Sequence, residues 1–145
     1  MARTLKNTEI SESVEDTISI GERLARKLKA GDVVALIGNL GSGKTVMTKG
    51  IAKGLGVKKT CYVNSPTFVI IKEYKGRLNL YHFDLYRLNT TGILDMESYE
   101  EYFYGDGVTV IEWADKIRGI LPKRYIEAKI SVMGDSRRKI AIISR

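Results

Sequence analysis

Residues 33–45 read VVALIGNLGSGKT, and the order of residue types in this stretch decides the fold. Val33 to Ile37 is an aliphatic run without apolar and polar alternation, the pattern of a strand covered on both faces and therefore central in its sheet. Gly38 to Thr45 then satisfies G-x-x-x-x-G-K-[ST] in full. Val46, Met47, Gly50, Ile51, Gly54 and Leu55 follow at helical spacing, and Gly56 closes that segment. Strand, glycine loop and helix in this order make an anion cradle: glycines let successive backbone N–H groups turn inward, and the helix N-terminus adds partial positive charge. Gly38, Gly41, Ser42, Gly43 and Val46 are expected around a nucleotide's phosphates, with Lys44 reaching the β- and γ-phosphates and Thr45 Oγ on Mg²⁺.

A magnesium ion on Thr45 calls for an acid at the end of a neighbouring strand. LNLYHFDL (78–85) and VTVIEW (108–113) both read as apolar strands that carry an acid near their C-terminal ends, Asp84 and Glu112. Either is suited to the metal, and Glu112 equally to orienting the attacking water or to both tasks at different stages. Ser65-Pro66-Thr67 adds a third polar element: Pro66 forces Ser65 into an extended conformation, and Thr67 offers a hydroxyl to a γ-phosphate or its metal. His82 is the lone histidine and is expected to make a structural hydrogen bond. Arg87 is expected to pair with a carboxylate rather than with phosphate.

Outward from these motifs the chain continues the same class. A short strand is expected near Thr4 to Thr8. Ser13-Val14-Glu15-Asp16 has capping-box spacing, and Val14, Ile18, Gly21, Leu24, Ala25 and Leu28 predict one face of a helix that Gly31 ends. TFVIIKEY (67–74) and residues 78–85, joined by Lys75-Gly76-Arg77, predict an antiparallel hairpin. MESYEEYF (96–103) predicts a short helix capped by Asp95, Asp115 to Leu121 a helical or turn segment, and Tyr125 to Val132 and Lys139 to Ile143 two final strands. The fold class is α/β: a single P-loop NTPase-like three-layer domain over residues 1–145, its mixed sheet having a parallel core and an antiparallel portion.

Bulk properties agree. The chain has 145 residues, 43% hydrophobic and 28% charged, enough for one core that buries roughly two thirds of the unfolded surface. No stretch approaches the ~20 apolar residues of a membrane span, and the polar start MARTLKNTEI lacks the apolar centre of a signal peptide, so a cytoplasmic protein is expected. Cys61 has no second cysteine for a disulfide, zinc site or redox pair. The net charge of +7 points to an anionic partner such as nucleotide, RNA or an acidic protein surface, although the basic residues are spread along the chain and also suit a heat-adapted surface.

With these pieces in order, the chain resembles the TsaE (YjeE) family, the ATPase component of the bacterial machinery that makes threonylcarbamoyladenosine in tRNA. The resemblance spans nearly the whole chain: DTISIGERLA, GNLGSGKT, VNSPTFVIIKEY, YHFDLYRL and VIEW occur in the family's order. It implies ATP and Mg²⁺ as cofactors, slow hydrolysis by the isolated protein, and activation by TsaD and TsaB, with tRNA reached indirectly or at the edge of the complex. It further implies that Lys44, Thr67, Asp84 and Glu112 serve catalysis, with Thr67 as the switch residue, and that Thr45, Asp84 and Glu112 serve the metal. Thr17 and Arg138, with Arg137 beside it, fit the family's nucleotide-contacting threonine and C-terminal arginine. Trp113 is implied to pack on nucleotide or partner, whereas by its residue type alone it suits a core position. Asn39 stands where the family usually has Asp, ADK follows VIEW where proline and polar residues are usual, and TTGILD replaces a more acidic stretch. Asn39 removes one charge beside the phosphates without touching the cradle, and the other two departures bear on partner docking more than on ATP binding.

Two other classes fit part of the pattern. A small-molecule P-loop kinase would need an acceptor pocket and usually an arginine-bearing lid, for which no segment stands out. An ATP-gated binding module would bind nucleotide without turning it over. A GTPase is disfavoured because N-K-x-D is absent and nothing like D-x-x-G follows a suitable strand.

Overall fold

The structure is a computed structural model and describes residues 5–58, 71–84, 102–103, 105–115, 119 and 121–145. Cys61, Ser65-Pro66-Thr67, Arg87, Asp95 and most of 96–103 lie outside the described residues. A seven-stranded sheet runs in the order β1-β7-β6-β2-β5-β4-β3. Its strands are β1 (Lys6–Ser11), β2 (Val33–Ile37), β3 (Ile71–Tyr74), β4 (Leu80–Asp84), β5 (Val108–Glu112), β6 (Ile126–Val132) and β7 (Arg138–Ser144). β6, β2, β5 and β4 are mutually parallel. β3 on one side and β7 and β1 on the other add antiparallel strands.

β2 sits at the centre, and all five of its residues are buried. Val34 and Leu36 join one core cluster, Val33 and Ala35 the other, which is why the run shows no alternation. The first cluster lies under α1 (Val14–Ala25) and α2 (Lys44–Gly54). The second gathers Phe83, Phe103, Ile111 and Ala114 on the opposite face, with Tyr81 and Phe83 edge-on to Tyr102. None of the described helices is long and apolar enough to cross a membrane.

α2 ends as its sequence predicts. Gly56, at φ 80°, follows the cap residue Leu55, and the Gly56 and Val57 N–H groups donate to Lys53 O and Ala52 O at 3.1 and 3.0 Å, the paired bonds of a Schellman turn. α1 departs from expectation in two ways. It stops at Ala25, with Gly31 (φ 91°) instead in the turn into β2, its N–H donating to Gly107 O at 2.8 Å. Its buried face is Thr17, Ile20, Gly21, Leu24 and Ala25, whereas Val14 is 57% exposed. The rotation follows from backbone contact with α2. A Cβ on Gly21 would come 2.7 Å from Met47 O, and one on Gly50 would come 2.3 Å from Ile18 O. Two helices this close must meet through glycine, so the glycines and not the largest apolar residues set the seam.

Gly50→Ala is therefore expected to cost about 1–3 kcal/mol in urea unfolding, because backbone cannot retreat as a side chain can. Gly134→Ala, where an added Cβ meets nothing within 4 Å, serves as the neutral control. Equal stability of the two variants would rule out the tight seam.

Candidate functional site

Parallel pairing of β2, β5 and β4 brings their C-terminal ends to one edge of the sheet. Leu36 is in register with Glu112, and Glu112 with Asp84. The loop 38–43 leaves β2 at that edge and enters α2 at Lys44. Gly41 and Gly43 have φ of 78° and 110°, and a Cβ on either would meet nothing within 4 Å. Conformation, not crowding, requires glycine there. Gly38 is the opposite case: its Cβ would lie 2.4 Å from Ser42 Oγ and 2.7 Å from Ile130 O. The N-cap of α2 is Gly43, which supplies no side-chain acceptor, so the first-turn N–H groups keep their capacity for an anion.

Beside this helix end lies a cavity of about 350 Å³ lined by Leu40, Gly41, Gly43, Lys44, Thr45, Val46, Asp84, Glu112 and Trp113. Lys44 Nζ folds back to donate to Gly38 O at 2.7 Å and Asn39 O at 3.0 Å, and sits 3.8 Å from the centre of the Trp113 ring. Burial lowers the Lys44 ammonium's pKa below its usual 10.5, against the opposing pull of Glu112, Asp115 and Asp84. Trp113 has φ 62°, unique among the described non-glycine residues. It packs against the second core cluster and also lines the cavity.

Glu112 is 3% exposed. Thr45 Oγ donates to its Oε1 and Oε2 at 2.9 and 3.1 Å, and His82 Nε2 lies 2.5 Å from Oε2. Asp84 lines the same cavity one strand further out. The structure thus brings together Gly41, Gly43, Lys44, Thr45, Val46, Asp84, Glu112 and Trp113. Gly38 and Ser42 belong to the loop but do not line the cavity, and Ser42 Oγ is buried without a hydrogen-bond partner. Thr67 lies outside the described residues.

Thr17 and Arg138 are placed differently from the lining residues. Thr17 is buried in α1, its hydroxyl 2.7 Å from Ser11 Oγ, which itself donates to Ser13 O at 2.8 Å. Arg138, at the start of β7, grips the loop from outside. Its Nε donates to Ser42 O at 2.9 Å, while Nη1 reaches Gly134 O and Arg137 O at 3.1 and 3.0 Å. Arg137 turns to Glu12 at 3.1 Å. His82, expected to make a structural hydrogen bond, makes it to Glu112 within the site. Leu80, His82 and Asp84 alternate along one strand, so the histidine had to share a face with the acid.

A central parallel strand, a glycine loop leading into an uncapped helix, and acids at two adjacent strand ends define a phosphate-loop α/β protein. Within that class, the family model described as threonylcarbamoyl adenosine biosynthesis protein TsaE matches residues 11–140, and the chain belongs to the TsaE family. The Bacillus subtilis tRNA threonylcarbamoyladenosine biosynthesis protein TsaE is 46% identical over 127 residues, 87% of this chain and 78% of that one. The Treponema pallidum protein of the same name is 39% identical over 133 residues, 92% of this chain and 97% of that one. A crystal structure described as Bacillus subtilis YdiB superposes with a TM-score of 0.81 at 38% identity, covering 99% of this chain and 88% of that one.

Because Arg138 ties loop carbonyls to the β6–β7 turn through a planar fork, Arg138→Lys keeps the charge but cannot make both sets of bonds. The expected result is a loss of about 1 kcal/mol and faster amide exchange across residues 39–43. Exchange identical to wild type would show that the loop holds its shape without the clamp.

Proposed function

We propose that this protein is a Mg²⁺-dependent ATPase of tRNA threonylcarbamoyladenosine synthesis, weak alone and stimulated by TsaD and TsaB. The observation that carries the reading is the Thr45–Glu112 hydrogen bond, which joins the phosphate-loop helix to the acid at the neighbouring strand end. A hydroxyl and two carboxylates are hard oxygen donors of the kind Mg²⁺ takes. Among the described residues no three histidine, cysteine or acidic side chains form a metal site of their own. Thr45 and Asp84 or Glu112 would hold the ion, which neutralises phosphate charge when bound.

The chain's own groups then have definite tasks. The N–H groups at the start of α2 bind phosphate oxygens. Lys44 leaves Gly38 O and Asn39 O for the β- and γ-phosphates, trading weak carbonyl partners for charged ones. Glu112 orients a water and accepts its proton as the water oxygen bonds to the γ-phosphorus and the bond to the β,γ-bridging oxygen breaks, giving ADP and phosphate. Lys44 and Glu112 both have hydrogen-bond partners within the chain, and the need to exchange some of them supports a slow isolated enzyme. Thr67 is the proposed γ-phosphate sensor, and Thr17, Trp113 and Arg138 complete the nucleotide's surroundings. The protein would act in the cytoplasm, meeting tRNA at the edge of the complex.

Phosphate release from ATP, measured with and without TsaB and TsaD and beside a panel of small phosphate acceptors, tests this directly. Partner-stimulated release is expected. Glu112→Ala should lower it about 10²–10³-fold while nucleotide still binds, and Asp84→Ala should weaken the use of Mg-ATP. Phosphate transfer to a small acceptor without any partner effect would make the protein a kinase, and full turnover by Glu112→Ala would remove Glu112 from the chemistry.

A further inference from the structure

The two groups that hold Glu112 have different prospects during turnover. Thr45 Oγ is the proposed metal ligand, so its bond to Glu112 must break when nucleotide enters. His82 has no such second task. It is fully buried on β4, in register with Val110, and its Nε2 lies nearer to Glu112 (2.5 Å) than Thr45 does (2.9 and 3.1 Å). Its other ring nitrogen, Nδ1, is buried with no hydrogen-bond partner among the described residues. A buried polar atom without a partner lowers stability, and an apolar side chain beside Leu80 and Val110 would avoid that loss. The imidazole therefore has a use at Nε2 that outweighs the orphan at Nδ1.

The division of contacts between the carboxylate oxygens says what that use is. Oε2 is shared by His82 and Thr45, whereas Oε1 contacts Thr45 at 2.9 Å. Withdrawal of Thr45 leaves Oε2 held and Oε1 released. We propose that His82 is the positioning residue for Glu112: its Nε2–H anchors Oε2 after Thr45 has moved to the metal, so that Oε1 faces the attacking water in one orientation. This rests on the reading of Glu112 as the group that acts on water. Without the anchor the carboxylate rotates about its side-chain torsions, and misorientation lowers the rate of the chemical step while leaving nucleotide affinity in place.

Geometry supplies a selective test. The side-chain nitrogen of Gln can take the place of imidazole Nε2, whereas that of Asn corresponds to Nδ1. In the partner-stimulated assay, His82→Asn is expected to lower kcat at least about 10-fold with KM little changed, and His82→Gln to restore most of the loss. Because His82 is the sole histidine, imidazole ¹⁵N spectra of the intact protein report on it without ambiguity, and its tautomer is read on the wild type. The Nε2-protonated form is expected, with its resonance shifted by Glu112→Gln and retained when Mg-ATP binds. Turnover that is equal in wild type, Asn and Gln variants, or a bare Nε2 in the spectrum, overturns the His82 assignment alone. Absence of turnover in the wild type with partners present overturns the ATPase reading and the role of His82 with it.

Discussion

The parallel register across β2, β5 and β4 is the constraint on which the site depends. A parallel ladder carries every chain in the same direction, so the end of β2 that becomes the glycine loop and the ends of β5 and β4 that carry acids must meet at one edge. Leu36 opposite Glu112 and Glu112 opposite Asp84 then set how far each acid stands from the helix that begins at Lys44. A slip of one residue in either pairing would send Glu112 or Asp84 to the opposite face, away from α2. The register of the sheet thus sets where both acids stand relative to the glycine loop.

The polar groups at that edge are arranged at a cost to the fold. Lys44, Glu112 and His82 are all buried, and each would be better solvated outside. They compensate one another only in part: Lys44 on loop carbonyls, Glu112 between a hydroxyl and an imidazole, and Nδ1 of His82 and Oγ of Ser42 with no partner among the described residues. A core evolved for stability alone would place apolar residues there. The surface ion pairs, such as Arg23 with Glu9 and Arg26 with Glu22, add little to offset this. The stabilising weight falls instead on the two apolar clusters and on the glycine seam between α1 and α2.

How much of this the sequence discloses depends on whether a feature is local. The unalternating run of β2, the glycine loop and the Gly56 stop are set by neighbouring residues, and all are readable in the sequence. So is the position of Asp84 and Glu112 beside the loop, because each ends an apolar run that reads as a strand. The face of α1 was misjudged because apolar periodicity marks what can be buried, whereas contact through Gly21 and Gly50 decides what is. Arg138 on Ser42 O and Thr17 on Ser11 join residues through tertiary packing that no spacing rule contains. His82 was half readable: pleat alternation puts it beside Asp84, but its hold on Glu112 needs the register of β4 against β5.

Trp113 shows how the two sides of the sheet are tied at the site. As the residue after Glu112 it is turned by the pleat toward the second cluster, away from Lys44. A left-handed conformation at φ 62° ends β5 abruptly and costs of order 1–3 kcal/mol for a bulky residue. What that strain secures is a ring that packs against the cluster of Phe83 and Ile111 and still presents a face to the Lys44 ammonium at 3.8 Å. An ordinary extension of the strand would continue its alternation and leave the indole serving the far face only. The strained turn lets one side chain support the core below the loop and cover the Lys44 ammonium, so the position of the cation is coupled to the packing of the opposite layer.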